Sequence, residues 1–81
     1  MHRVSIHDMK FEPATLDVPA GDVVIWTNTD FVPHTATATD RGFDTGKLEG
    51  GESKRVVFTK KGAFGYFCRF HIAMKGSLTV H

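Results

Sequence analysis

The chain has 81 residues, of which 10 are basic and 9 acidic, giving a net charge of +1, and it holds one cysteine, Cys68. A lone Cys rules out an internal disulfide, and so even a charge balance offers no general argument for nucleic acid or an anionic membrane as partner. No apolar run approaches the ~20 residues needed to cross a bilayer, and the length points to a single domain over 1–81 whose modest core must be dense, metal-supported, or both.

Met1-His2-Arg3 leads straight into an alternating segment, so no export signal is expected within this chain. Val4 and Ile6 alternate with Arg3, Ser5 and His7, the pattern of a half-buried strand. Thr15-Leu16-Asp17-Val18 alternates in the same way and breaks at the turn Pro19-Ala20-Gly21-Asp22. Val23 to Asn28 is rich in β-branched and aromatic residues and predicts a strand. His34 to Thr39 alternates Thr and Ala after Pro33. Asp40 to Leu48 is the least regular stretch, with a turn at Asp40-Arg41-Gly42 and Phe43 expected to fold back over the core. Gly50-Gly51 turns into a strand from Ser53 to Thr59, and Lys60-Lys61-Gly62 turns again. On the strand that follows, Phe64, Tyr66 and Cys68 share one face, and Ser77 to Val80 forms the last strand. No stretch of ten or more residues keeps a helical period. About eight short strands joined by Gly and Pro turns predict an all-β fold, a small sandwich or barrel.

The segment Cys68-Arg69-Phe70-His71-Ile72-Ala73-Met74 spaces three soft-ligand candidates three residues apart, directly after one strand and before the next. A tight loop in that position can turn Cys68, His71 and Met74 toward one point. His34, at the mouth of another strand, is the fourth candidate. Two imidazoles and a thiolate in a plane, with a weak axial thioether, make the ligand set of blue-copper electron-transfer sites. Zinc fits less well, because structural zinc sites prefer Cys and His and rarely use Met. Each residue alone has a bland reading, as a buried thiol, a core Met or a solvated loop His; the spacing and the strand context together favour the metal. His2, His7 and His81 read as solvent-exposed without function, Met1 and Met9 carry no ligand signal, and Arg69 and Lys75 beside the motif read equally well as surface charges.

Cys-x-x-His-x-x-Met near the C-terminus, with an upstream Pro33-His34, resembles the cupredoxins, most closely the amicyanin–plastocyanin branch. The resemblance covers nearly the whole chain: Phe11-x-Pro13-Ala14-Thr15-Leu16-x-Val18, Gly21-Asp22-x-Val24-x-Trp26-Thr27-Asn28, Phe43-Asp44-Thr45-Gly46 and Gly62-x-Phe64-x-Tyr66-x-Cys68 all fit. It implies an eight-stranded Greek-key β-sandwich holding one copper ion through His34, Cys68, His71 and Met74. It also implies a one-electron carrier that works as a monomer in the periplasm or outside the cell. Redox partner proteins would dock transiently near His71, on a collar for which Phe31, Pro33, Phe70, Ile72 and Ala73 are the candidates. The chain departs from the family at three points. Phe70 stands where Pro is frequent, so its N–H is free to reach the Cys68 sulfur beside one expected from Thr35. Thr35 stands where Asn is common, with a hydroxyl able to tie the ligand loops together. Phe67, not Tyr, precedes Cys68.

A copper carrier or buffer without a redox role would use the same residues, although carriers usually hold Cu(I) in exchangeable thiolate or Met-rich sites. An enzyme is not expected: the chain has no His-x-His pair for a catalytic copper, and nothing signals an oxyanion hole beside a Cys68–His71 nucleophile.

Overall fold

The computed structural model describes residues 1–81. Its strands are β1 (His2–His7), β2 (Lys10–Glu12), β3 (Thr15–Val18), β4 (Asp22–Asn28), β5 (Thr37–Ala38), β6 (Ser53–Phe58), β7 (Gly62–Phe67) and β8 (Lys75–Val80). They form two four-stranded sheets, ordered β2-β1-β4-β6 and β3-β8-β7-β5. Both sheets are mixed: β1 pairs parallel with β4 and β3 parallel with β8, while the other neighbours run antiparallel. The chain therefore crosses from one sheet to the other at each connection from β2 to β7, and the result is the expected eight-stranded sandwich.

Alternation in the sequence becomes alternation in burial. Val4 and Ile6 of β1 face inward at 1% and 0% exposure, with Arg3, Ser5 and His7 outside. β4 lies between β1 and β6, and Val24 and Trp26 on it are fully buried. Trp26 stacks on Phe43 at 5.3 Å and meets Tyr66 edge-on at 5.4 Å. Phe11 also meets the Tyr66 ring edge-on, at 4.7 Å. Phe43 thus folds back from the irregular segment into the core, as its isolated apolar character predicts.

Two elements differ from expectation. β5 is only two residues, because His34, Thr35 and Ala36 leave the sheet ladder to bond with the segment before β6: His34 exchanges two backbone bonds with Leu48, and the Ala36 carbonyl accepts from Thr45. β2 carries no Gly, Pro or Asn signal at its start. The turn before it rests on Asp8 and Met9 at φ 51° and 61°, left-handed values that non-glycine residues adopt only when held.

Candidate metal centre

His34, Cys68 and His71 converge at one end of the sandwich, where the crossover from β4 to β5 meets the β7–β8 loop. Cys68 follows β7 on the inward face set by Tyr66, so its sulfur starts out buried. The loop after it closes tightly on itself. His71 N–H donates to the Cys68 carbonyl at 3.3 Å, Met74 N–H to the His71 carbonyl at 2.8 Å, and Cys68 N–H to the Met74 carbonyl at 3.2 Å. Met74 is thereby drawn back beside Cys68, and both belong to the apolar core, at 5% and 0% exposure.

The sulfur of Cys68 lies 3.6 Å from Nδ1 of His34 and 3.8 Å from Nδ1 of His71. A metal ion bonded to an imidazole nitrogen at about 2.0–2.1 Å and a thiolate at about 2.3 Å holds those two donors ~3.5–3.8 Å apart. The donors therefore already stand at the separations that a shared ion demands, and the thiolate, imidazole and thioether types suit copper in both oxidation states. The four residues fit a type 1 copper site. His34 and Cys68 are shut off from solvent, whereas His71 is only half-buried.

The ligands are braced before any metal arrives. Thr35 N–H donates to the Cys68 sulfur at 3.4 Å, and Thr35 Oγ1 accepts the Arg69 N–H at 2.9 Å. The Thr35 hydroxyl donates to Thr37 Oγ1 at 3.0 Å, which donates in turn to Asp44 Oδ1 at 3.1 Å. Asp44 meets the Arg69 guanidinium at 3.5 Å and closes the circuit. Thr35 thus ties the two ligand loops together as its hydroxyl predicts. The second sulfur bond, from Phe70, is not formed; in this loop the N–H groups on either side of Phe70 are the ones engaged, Arg69 with Thr35 and His71 with Cys68.

The sequence reading overlooked two residues that shape the site. Asn28 is fully buried; its amide donates to the Val32 and Leu48 carbonyls at 2.9 and 2.8 Å, and its oxygen accepts Asp30 N–H at 2.9 Å. Asp30 lies 2.9 Å from His34 Nε2 through Oδ2. Its carboxyl is held below the ordinary carboxylate range, chiefly by the Met9 N–H and against the effect of burial, with the Asp8 N–H and His34 adding to it. The available signal was the spacing Asn28-x-Asp30-x-x-x-His34, which alternation analysis does not weigh. His7 and His81 are exposed, and His2 bonds Asp22 at the far end of β1. Phe31, Phe70 and Ile72 around the site stand out in solvent at 105%, 49% and 72% exposure, with Ala73 exposed and Pro33 half-buried.

The sequence profile of the cupredoxin-like domain matches residues 1–80. Amicyanin-alpha from Methylorubrum extorquens is 30% identical over 82 aligned residues, which take in 95% of this chain and 69% of that protein. Among solved structures, the purple cupredoxin from Nitrosopumilus maritimus superposes with a TM-score of 0.92 at 28% identity, over 100% of both chains. A copper-containing nitrite reductase from Thermus scotoductus superposes with a TM-score of 0.91 at 33% identity, over 98% of this chain and 22% of the reductase.

Proposed function

The chain belongs to the cupredoxin-like family, and from that premise we propose that it is a one-electron carrier with one copper ion held by His34, Cys68, His71 and Met74. The observation that carries this reading is the approach of two imidazole Nδ1 atoms to one buried thiol sulfur at 3.6 and 3.8 Å, beside a buried Met. Copper, when bound, supplies the Cu(II)/Cu(I) couple.

The protein's own residues make that couple usable. The Thr35–Thr37–Asp44–Arg69 circuit and the backbone bonds within residues 68–74 hold the donors in one arrangement, so little has to move when the charge changes. The Thr35 N–H withdraws density from the Cys68 sulfur and so tunes the potential. Burial of His34 and Cys68 keeps water from the donors, while half-exposed His71 offers the one imidazole edge through which an electron can leave. Phe31, Phe70 and Ile72, on the loops that carry the ligands, are exposed apolar side chains, and we read them as a rim beside that edge. A redox partner docks on it by a small, transient contact.

A carrier that merely buffers copper would give up the ion to a chelator within seconds; the braced donors favour slow release. We read the domain as a carrier rather than a catalyst, in keeping with its amicyanin-like relatives; it matches 22% of the nitrite reductase that it resembles. We further propose that the protein acts as a monomer in the periplasm or outside the cell, in keeping with its amicyanin-like character; no helix is long and apolar enough to cross a membrane.

The rim is tested by electron self-exchange between oxidised and reduced copper protein, read from NMR line broadening. Phe31→Asp with Ile72→Asp places like charges face to face in the encounter, so exchange should slow about tenfold while the reduction potential holds. An unchanged exchange rate would show that electrons leave elsewhere.

A further inference from the structure

Asp30 lies outside the Cys68–Met74 ligand loop, yet it touches His34, a ligand that solvent cannot reach. His34 is 0% exposed, and its Nε2 has a single partner, Asp30 Oδ2 at 2.9 Å. An ionised carboxylate can only accept, so the proton between them sits on Nε2. Nδ1 is then left with its lone pair, on the side facing the Cys68 sulfur at 3.6 Å. A hydrogen-bonded carboxylate behind a ligating imidazole fixes its tautomer and ring orientation and raises its basicity.

The carboxylate is itself clamped. Oδ1 accepts the Asp8 N–H at 2.9 Å, Oδ2 accepts the Met9 N–H at 3.0 Å, and Asp30 N–H donates to Asn28 Oδ1 at 2.9 Å. Asp8 and Met9 both take left-handed φ values, 51° and 61°, which aim two successive N–H groups at one anion. The β1–β2 turn, far from the ligands in sequence, thereby becomes part of the centre. Its unusual backbone and the Asp30 carboxylate account for each other.

Resting on the copper reading above, we propose that Asp30 is a positioning residue: it sets His34 to bind through Nδ1, and its negative charge biases the site toward Cu(II). The charge argument is direct, since an anion near the centre favours the more positive oxidation state.

Asp30→Asn keeps the shape and one acceptor oxygen and removes the charge. The ratio of Cu(II) to Cu(I) affinity should fall about tenfold, read by redox titration as a midpoint raised by about 59 mV. A blue wild type and a blue variant with the same midpoint would overturn the inference while leaving the copper reading intact. A second measurement needs neither copper nor the variant: ¹⁵N NMR of the copper-free protein should find the His34 proton on Nε2. A proton on Nδ1 would overturn the positioning role, even if Asp30→Asn fails to fold. A wild type that never binds copper would overturn the copper reading and the redox half of this inference together, and the tautomer would still decide the positioning half.

Discussion

Gly76 lies opposite Tyr66 in the β7–β8 pair, and the hydroxyl end of the tyrosine ring packs against it. A Cβ at this position would collide with Tyr66 Cζ and stand 2.5 Å from its hydroxyl oxygen. The ring cannot yield, because Phe11, Trp26 and Phe43 hold it at 4.7, 5.4 and 5.9 Å. Gly76→Ala should therefore cost about 2 kcal/mol through overpacking and lower the melting temperature of the copper-free protein by roughly 10 °C, measurable by circular dichroism. At this scale the residues that fit a type 1 copper site were legible, since three of them share a seven-residue loop and their chemistry is specific. Asp30 was not, because its role depends on a turn some twenty residues upstream that meets it only in space. The Gly76–Tyr66 contact was equally hidden: a glycine before a strand reads as a turn, and cross-strand register is needed to see the ring above it. The unformed Phe70 bond makes the complementary point: a free N–H in sequence does not say where the loop aims it.

β1 and β4 run parallel, a pairing that no hairpin can set, so their register depends on side-chain contacts. Asp22 at the start of β4 supplies one. Its carboxylate accepts the Val23 N–H at 3.0 Å and reaches His2 at 2.9 Å and the Met1 ammonium at 3.3 Å. The Val23 bond is the main reason that its carboxyl is held below the ordinary value of 3.8, with the ammonium and His2 adding to it against desolvation. A depressed folded pKa adds stability above the unfolded value, and that stability is lost as pH falls through the folded one. Asp22→Asn should lower the melting temperature by a few degrees at neutral pH, and the gap to the parent should close as pH drops below 3.8. A gap that persists at pH 2 would assign the effect to packing instead. The alternating strands β1 and β3, and β6 between its two glycine turns, were legible within a residue or two. β2 and the short β5 were not, because long-range bonds, Asp30 to the β1–β2 turn and His34 to Leu48, decide where those ladders start and stop.

For the whole molecule, the sandwich brings two remote loops to one end and leaves their donors at coordinating distance. The core around Trp26 forms the body, and Cys68 and Met74 extend it directly into the metal centre, so packing and ligand geometry are one structure. The family and its sandwich could be read from motifs covering most of the chain. The mixed pairing of each sheet could not, because alternation gives a strand its faces and not its neighbours. The claim on which everything else rests is that Cys68, as a thiolate, binds copper between His34 and His71. Its most direct test is the visible absorption spectrum of the purified protein after one equivalent of Cu(II). The account predicts an intense blue sulfur-to-copper charge-transfer band that one electron equivalent bleaches, that reoxidation restores, and that Cys68→Ser never shows. A colourless protein, or copper consumed in oxidising Cys68, would contradict it.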